Sequence, residues 1–556
     1  MDSQKALLEI TDLCIQTKTS PPKILCKDIN IRIPSKNIVG IVGESGSGKT
    51  LTVLSILGLL APGLEISKGK VVFNLNGDIK VLNYLSSDDI RKIRGNNIGM
   101  IFQEPMTSLN PSMTCGKQVL EAILVHNQIS EEEAKGKVLK LFEKVKLPSP
   151  ESVFKSFPHQ LSGGQRQRVM IAMAISCEPI LLIADEPTTA LDVTVQKSIF
   201  ALLKELQANS EMSIIFISHD LGVISELADE IIVMYNGDVV ESGNALSVLE
   251  NPQHSYTKAL LACRPSQYLK GERLISINQE GIVKDTIDNP QCSKEVLLQV
   301  KALSVFFSLH GSSNFLSRQQ KQALFDLNFD VFRGETLGLV GESGSGKTTL
   351  SRALLRLINS NSDLIKYQDI DLDKLKGEAL RKFRKNIQII FQDPYSSLNP
   401  KQTIGKIILE PMIVHRLHGN YSKRRAKVLE LLGKVQLNED TYNRFPHQLS
   451  GGQRQRVGIA RALAVEPELI ICDESVSALD VSVQAQVLNL LNDLKREFGL
   501  TYIFISHDLN VVRYMSDRII VLNSGRIEEQ GESENLFKNP QSEYTRQLIE
   551  SIPGIN

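Results

Sequence analysis

Two identical eight-residue segments carry the clearest chemical signal in the sequence. The segment 43–50 reads Gly-Glu-Ser-Gly-Ser-Gly-Lys-Thr, and the segment 341–348 repeats it without a change. Each follows an apolar run and precedes a run typical of a helix, and in that context the pattern predicts a loop that binds nucleotide phosphates. Glycines let backbone N–H groups point at phosphate oxygens, beside a helix N-terminus whose dipole favours anions. The alternative is a chance glycine turn before Lys-Thr, and the recurrence in the same context argues against it.

The two loops are therefore predicted to bind ATP, with separate tasks for their lysine and threonine. We expect Lys49 and Lys347 to bridge the β- and γ-phosphates. We expect the hydroxyls of Thr50 and Thr348 to bind Mg²⁺. The other loop residues predicted to surround the phosphates are Gly43, Glu44, Ser45, Gly46, Ser47, Gly48, Gly341, Glu342, Ser343, Gly344, Ser345 and Gly346.

A pair of carboxylates follows an apolar run in each half of the chain. Asp185 and Glu186 follow the run 180–183, and Asp473 and Glu474 follow the run 469–471. In α/β sheets, ligands lie at the carboxyl ends of buried strands. We predict that the first acid of each pair holds Mg²⁺ through water and that the second orients and deprotonates the attacking water. A strand that simply ends on polar residues is the alternative, and the presence of a phosphate loop in both halves disfavours it.

One histidine follows a later β-rich run in each half. His219 follows the run 214–217, and His507 follows the run 502–505. A single histidine after a strand is usually structural. The repeated position favours a contact with the γ-phosphate, which the imidazole would make as a neutral or protonated donor.

A nine-residue segment between the loop and the acids supports a family resemblance. Leu-Ser-Gly-Gly-Gln-Arg-Gln-Arg-Val occurs at 161–169 and again at 449–457. With the other motifs, this resembles the signature of ATP-binding cassette ATPases over nearly the whole chain, twice. The resemblance implies an α/β fold of two P-loop NTPase nucleotide-binding domains, each with a helical signature subdomain, in a head-to-tail pseudo-dimer. The Ser-Gly-Gly unit alone would also suit an ordinary helix cap.

The family pattern implies that each ATP lies between the phosphate loop of one copy and the signature of the other. Gln103 and Gln392 would then act at the metal and in catalysis. The signature residues expected to contact nucleotide are Ser162, Gly163, Gly164, Gln165, Ser450, Gly451, Gly452 and Gln453. Because the copies are fused, no second chain is needed to complete this intramolecular dimer.

Three further segment pairs resemble the ATPases of peptide and nickel importers. They are 103–111 with 392–400, 157–160 with 445–448, and 251–257 with 539–545. The fused arrangement is similar to Yej-type bacterial peptide importers. This resemblance implies two integral membrane permease subunits, an extracytoplasmic substrate-binding protein and a peripheral position on the cytoplasmic face of the inner (plasma) membrane. Turn and packing chemistry is the alternative explanation for these segments.

The repeat also sets the domain organisation and the elements that position the motifs. Matching residues are offset by 298 at the first motif and by 288 at the signature, so whole domains are duplicated. Short β-branched runs at 38–42, 180–184 and 214–218, separated by helical stretches, predict a largely parallel sheet in each copy. We predict a first domain over 1–265, a linker over 266–294 and a second domain over 295–556.

Composition narrows the function further. The 63 basic and 63 acidic residues cancel, which gives no reason to expect a nucleic-acid partner. Seven scattered cysteines predict a reducing compartment without a disulfide framework, zinc site or iron–sulfur cluster. No signal peptide is evident, and the longest apolar stretch, 51–64, is too short to span a bilayer.

The leading hypothesis is an importer ATPase. Export is disfavoured because exporters of this family commonly carry their own membrane helices. The competing class is a tandem cassette protein of ribosomes or DNA, which the short mixed linker disfavours.

The two copies differ where the family usually stacks adenine on an aromatic ring. The run 303–307 ends in Phe307, whereas the matching run 13–17 ends in Thr17. We therefore predict that Phe307 binds adenine and that the first site binds ATP more weakly. Aliphatic cover of the base in the first site is the alternative.

Overall fold

The computed structural model describes residues 6–75, 77–103, 108–188, 192–276, 293–308, 320–393, 395–477 and 479–552. These residues form two compact units, one ending at Leu261 and one running from Ala262 to Ile552. Each unit contains one copy of the sequence repeat. The domain boundaries proposed above from the sequence remain a prediction.

The first unit alternates strands and helices as the repeat pattern predicts. Its strands are β1 (Ala6–Thr17), β2 (Ile24–Pro34), β3 (Ile38–Val42), β4 (Leu64–Leu75), β5 (Asp78–Val81), β6 (Ile98–Ile101), β7 (Leu181–Asp185), β8 (Ser213–Ser218), β9 (Glu230–Tyr235) and β10 (Asp238–Asn244). Its helices are α1 (Lys49–Ile56), α2 (Ser87–Ile93), α3 (Cys115–His126), α4 (Glu131–Lys144), α5 (Pro150–Lys155), α6 (Gly163–Ala174), α7 (Val193–Ala208), α8 (Leu221–Leu227), α9 (Ala245–Glu250) and α10 (Ser255–Ala262).

A six-stranded sheet positions the motifs of the first unit. Its strand order is β10-β9-β3-β8-β7-β6, and every pair except β10–β9 is parallel. Parallel sheets are covered on both faces, so their strands are continuous apolar runs. All five residues of β3 are buried accordingly. The predicted parallel α/β sheet is confirmed, and it brings the carboxyl ends of β3, β7 and β8 to one edge.

Two further layers complete the first unit. A separate antiparallel sheet has the order β2-β1-β4-β5 and shares its apolar core with α1. The helices α3 to α6 lie between β6 and β7 in the chain and form the predicted helical region. Its core residues Val119, Ile123, Val138 and Phe142 are fully buried.

The second unit repeats this architecture. Its strands are β11 (Val296–Ser308), β12 (Gln320–Phe332), β13 (Thr336–Val340), β14 (Leu364–Tyr367), β15 (Ile370–Asp371), β16 (Ile387–Ile390), β17 (Leu469–Asp473), β18 (Thr501–Ile505), β19 (Arg518–Asn523) and β20 (Arg526–Glu532). Its helices are α11 (Lys347–Leu354), α12 (Gly377–Phe383), α13 (Ile404–Val414), α14 (Tyr421–Lys434), α15 (Gly451–Leu463), α16 (Val481–Phe498), α17 (Leu509–Met515), α18 (Ser533–Lys538) and α19 (Glu543–Glu550). The sheets have the orders β16-β17-β18-β13-β19-β20 and β12-β11-β14-β15.

Residues 262–276, here called the strap, pack on the second unit although most of them were assigned to the linker. Leu274 is buried in the core of the second unit. Its N–H donates to Asn489 Oδ1 at 3.1 Å, and its carbonyl accepts from Asn489 Nδ2 at 2.8 Å. Arg273 makes a bidentate ion pair with Asp493 at 3.2 and 3.1 Å. The strap is therefore an integral part of the second unit.

The residues that hold the strap are specific to the second copy. Besides Asn489, the Tyr514 hydroxyl donates to the carbonyl of Glu272 at 2.7 Å. At the repeat offset of 288, the first copy has Ala201 and Glu226 at these two positions. The amide and phenol that hold the strap are therefore absent from the first copy of the sequence.

No helix among the described residues is long and apolar enough to cross a membrane.

Candidate ATP-binding sites

The two phosphate loops connect the central strand of each parallel sheet to the following helix. The first joins β3 to α1, and the second joins β13 to α11. Gly48 and Gly346 adopt φ values of 98° and 109°, where a side chain would be strained. A Cβ at Gly43 would also lie 2.2 Å from the carbonyl oxygen of Met234. The loops therefore require glycine at these positions.

Each loop lysine is held over its own loop by backbone carbonyls. Lys49 Nζ donates to the carbonyls of Gly43 and Glu44, both at 2.8 Å. Lys347 Nζ donates to the carbonyls of Gly341 and Glu342 at 2.6 and 2.8 Å. Both lysines are buried. A buried ammonium beside the loop backbone is suited to bind phosphate, and the phosphate contacts of Lys49 and Lys347 remain a prediction.

The first acid of each pair lies beneath its loop. Asp185 Oδ1 accepts a hydrogen bond from Thr50 Oγ1 at 3.2 Å, which joins the two predicted metal residues of the first copy. In the second copy, Asp473 Oδ2 accepts instead from Ser351 Oγ, at a long 3.5 Å. Asp473 Oδ1 is buried without a hydrogen-bond partner among the described residues. Burial is the main cause that raises the pKa of Asp185 and of Asp473 to about 6.

The oxygen atoms of these threonine and aspartate side chains fit Mg²⁺ as ligands. The cation is coordinated by oxygen ligands, and a buried carboxylate oxygen that lacks a partner is such a ligand. In the first cassette Thr50 and Asp185 would hold one ion, and in the second cassette Thr348 and Asp473 would hold another. Each ion would neutralise charge on the phosphates of its ATP. No group of three or more His, Cys, Asp or Glu side chains capable of holding a metal occurs in the described part of the chain. The nucleotide phosphates and water would complete the coordination of a bound ion.

The second acid of each pair is the centre of a three-residue cluster. Glu186 Oε2 accepts from Gln103 Nε2 at 3.1 Å and lies 3.4 Å from His219 Nδ1. The residues come from the ends of β6, β7 and β8, which the sheet brings together. The three predicted catalytic residues of the first copy thus converge on one carboxylate.

The second copy contains the same cluster. Glu474 Oε2 accepts from Gln392 Nε2 at 2.7 Å and lies 3.5 Å from His507 Nδ1. Burial raises the pKa of Glu474, but the hydrogen bond and charge of His507, together with the charge of Lys347, outweigh it, so the pKa lies below its usual value. Glu474 is therefore ionised at neutral pH and able to accept a proton from water.

Both second acids have an unusual backbone conformation. Glu186 and Glu474 adopt φ values of 45° and 48°. Non-glycine residues rarely adopt positive φ, and such positions concentrate at functional sites. The turn after the strand directs each carboxylate toward its glutamine and histidine.

The signature residues cap helices. Ser162 Oγ accepts from the N–H of Gln165 at 3.3 Å, and Gln165 Oε1 accepts from the N–H of Ser162 at 3.0 Å. Ser450 and Gln453 form the same capping box, with the same distances, at the start of α15. The capping role considered from the sequence is thus present in both copies, while nucleotide contacts by Ser162, Gly163, Gly164, Gln165, Ser450, Gly451, Gly452 and Gln453 remain a prediction.

The strand registers support the comparison between Phe307 and Thr17. Ile15 pairs with Cys26 in the first unit, and Val305 pairs with Leu324 in the second. Phe307 lies two residues beyond Val305, which is buried in the core that includes α11, so it lies on the strand face toward that helix. Thr17 occupies the matching position, where its Oγ1 accepts from the N–H of Lys23 at 2.8 Å. Binding of adenine by Phe307 remains a prediction.

Sequence reasoning missed one residue beside each phosphate loop. The N–H of Glu44 donates to the hydroxyl of Tyr256 at 3.1 Å, and the N–H of Glu342 donates to the hydroxyl of Tyr544 at 3.2 Å. Both tyrosines lie in the tail segments 251–257 and 539–545, whose pattern indicates only a resemblance to peptide and nickel importers. A tyrosine at the same position in both copies was the sequence signal that could have identified them.

Comparisons with known proteins show which family the chain resembles over most of its length. The ABC transporter family profile matches residues 26–189 and 324–477. The profile of the oligopeptide/dipeptide transporter C-terminal region matches residues 240–293 and 529–556. The glutathione import ATP-binding protein GsiA of Salmonella choleraesuis (strain SC-B67) is 45% identical over 538 residues, covering 95% of this chain and 86% of that protein. GsiA of Shigella dysenteriae serotype 1 (strain Sd197) is 44% identical over 560 residues, covering 98% and 89%.

Two phosphate-loop sites with matched acid, glutamine and histidine clusters define a tandem P-loop ATPase. The chain belongs to the ATP-binding cassette (ABC) transporter family. It is the ATP-binding subunit of an importer complex. The C-terminal segment of each of its cassettes is of the oligopeptide/dipeptide transporter type.

Proposed function

We propose that this chain energises the import of peptide-like molecules, with glutathione as the first candidate cargo. The observation that carries the proposal is the 45% identity over 95% of the chain to a protein named for glutathione import. The tail match to the oligopeptide/dipeptide transporter region supports the same substrate class. The finer resemblance to Yej-type importers remains a prediction.

The chemistry proposed for each cassette follows from its own cluster. Glu186 and Glu474 accept a proton from the attacking water, while Gln103 and Gln392 fix those carboxylates through one hydrogen bond each. His219 and His507 lie beside the same carboxylate oxygens as the glutamines, and they would contact the γ-phosphate. Bound Mg²⁺ would supply charge neutralisation at the β- and γ-phosphates.

Completion of the sites by the opposite signature is proposed from family membership. A capped helix such as α6 or α15 presents free N–H groups at its start, which suits a γ-phosphate. ATP binding would then close the pair of cassettes and hydrolysis would reopen it, with the motion transmitted to two integral membrane permease subunits. An extracytoplasmic substrate-binding protein would deliver the cargo, and the chain would act at the cytoplasmic face of the inner membrane.

Uptake of radiolabelled glutathione tests the cargo. Cells that produce the wild-type chain should accumulate label, and cells that produce the Lys49→Ala/Lys347→Ala chain should not, because both phosphate loops lose their ammonium. Competition with unlabelled dipeptide or nickel distinguishes the other substrate classes. Equal accumulation with both chains contradicts glutathione import by this protein.

Co-purification tests the partner class. An importer subunit should be recovered from detergent-solubilised membranes with integral membrane proteins. Recovery with ribosomes or nucleic acid, and without membrane proteins, would favour the competing tandem cassette class.

A further inference from the structure

The tail segment of each cassette forms a hydrogen bond to the phosphate loop. The tail tyrosines, Tyr256 and Tyr544, lie near the start of α10 and α19. Each hydroxyl accepts the N–H of the second loop residue, at 3.1 Å for Glu44 and 3.2 Å for Glu342. These tyrosines belong to the C-terminal region that distinguishes the oligopeptide/dipeptide type from the core cassette.

The same loop residue also holds the phosphate-binding lysine. The carbonyl of Glu44 accepts from Lys49 Nζ at 2.8 Å, and the carbonyl of Glu342 accepts from Lys347 Nζ at 2.8 Å. The main chain of this loop residue therefore donates its N–H to the tail tyrosine and accepts a hydrogen bond from the lysine with its carbonyl. A displacement of this residue would displace an acceptor that places the ammonium.

The tail is itself anchored to the sheet that carries the loop. Glu241 on β10 accepts the N–H groups of Gln253 and His254 at 2.7 and 3.1 Å. Glu529 on β20 accepts those of Gln541 and Ser542, both at 3.0 Å. A carboxylate that receives two backbone N–H groups fixes the turn before the tyrosine, so the hydroxyl has little freedom to move.

The two copies differ around the ring but agree at the hydroxyl. Tyr256 packs against Tyr235, with ring centroids 4.2 Å apart. At the offset of 288, Asn523 replaces Tyr235 in the second copy. The shared feature is therefore the bond to the loop, not the packing of the ring.

We propose that Tyr256 and Tyr544 are positioning residues for ATP binding, and that the tail of each cassette sets the shape of its phosphate loop. Neither tyrosine takes part in bond breaking. Loss of one hydroxyl removes the tail acceptor from the N–H of Glu44 or Glu342 and loosens the peptide that holds the lysine. A net hydrogen bond of this kind corresponds to a change in ATP affinity of about three- to tenfold.

Tyrosine-to-phenylalanine variants of the full chain test the proposal. ATP binding is measured for Tyr256→Phe in a Lys347→Ala chain and for Tyr544→Phe in a Lys49→Ala chain, so that one intact loop is titrated each time. The matched control is Tyr502→Phe, which removes a hydroxyl that donates to the carbonyl of Leu491 at 3.0 Å in the core of the second cassette. We expect the Kd for ATP to rise about three- to tenfold for the tail variants and to stay within about twofold for the control.

Steady-state kinetics separate positioning from general stability. In otherwise wild-type chains, Tyr256→Phe and Tyr544→Phe should raise the KM for ATP more than they lower kcat, because uniform nucleotide binding is lost. If Tyr544→Phe and Tyr502→Phe change ATP affinity equally, or if kcat falls at constant KM, the proposal is wrong. Should Tyr544→Phe fail to fold, Glu529→Gln tests the same path by loosening the tail turn. The Glu529→Gln chain should bind ATP more weakly, and unchanged affinity would overturn the proposal.

Discussion

Replacement of Phe307 by alanine tests whether the two sites bind ATP with unequal affinity. Phe307 is 44% exposed, so a stacked base can cover roughly 90 Å² of a ring side chain of about 200 Å². At about 25 cal/mol per Å², this contact is worth about 2 kcal/mol, within the ~1–3 kcal/mol found for one stacked base. We therefore expect the Kd for ATP at the second loop to rise about 10- to 30-fold.

The assay is calorimetric titration of ATP into Lys49→Ala chains, which retain only the second phosphate loop intact. The matched control is Phe306→Ala, because Phe306 is 40% exposed but lies on the opposite face of β11. In the reciprocal Lys347→Ala chain, Thr17→Phe should tighten binding, since it supplies the missing ring. Equal effects of Phe307→Ala and Phe306→Ala, or no effect of either, would refute the reasoning.

Three further predictions follow from the geometry of the sites and the strap. Glu186→Gln and Glu474→Gln should each lower steady-state ATPase turnover about 100-fold or more, because each removes the general base of one site and ATP that stays bound there prevents the other site from starting a second turnover. A chain with half the normal rate would show that the sites turn over independently. The pKa of Asp185 and of Asp473 is raised to about 6, so protons should compete with Mg²⁺ for these carboxylates below that pH. The Mg²⁺ concentration needed for half-maximal ATP binding should then rise about tenfold per pH unit. A flat profile from pH 7 to 5 would contradict a role of these residues in metal binding. Asn489→Ala should destabilise the second cassette by about 2–3 kcal/mol and lower its melting temperature by about 4–10 °C, and an unchanged calorimetric transition would show that the strap contributes little.

Much of the fold was predictable because short apolar strands have a clear pattern. β3 begins and ends at the predicted residues, and β7 and β8 lie within one residue of theirs. The antiparallel sheet built from β1, β2, β4 and β5 was not predicted. Its strands carry mixed polar and apolar residues and positive-φ positions such as Asp12 and Asp28, which interrupt simple alternation.

The catalytic clusters were predictable in membership but not in contact. The acids and histidines stood out because each follows an apolar run in both copies, and the glutamines came from the family resemblance. It could not be inferred that Asp473 accepts from Ser351 and not from Thr348, because the two hydroxyls are three residues apart and lie on the same face of α11. Their relative reach depends on side-chain rotation, which no sequence pattern encodes.

The strap and the tail tyrosines needed the structure for a different reason. Asn489 and Tyr256 are ordinary residues of amphipathic helices when taken by themselves, and their partners are about 200 residues away in the chain. A polar side chain inside an apolar helix face indicates that some buried partner exists, but not which one. Only the packing identifies Leu274 and Glu44 as those partners.

The number of phosphates released in a single turnover tests the central claim, that both cassettes hydrolyse ATP. Rapid-quench measurement on the full chain loaded with γ-labelled ATP should give a burst of two phosphates per chain, because each cassette has its own glutamate, glutamine and histidine. Glu186→Gln and Glu474→Gln should each reduce the burst to one, and the double variant should abolish it. A wild-type burst of one phosphate that Glu186→Gln or Glu474→Gln leaves unchanged would contradict the claim.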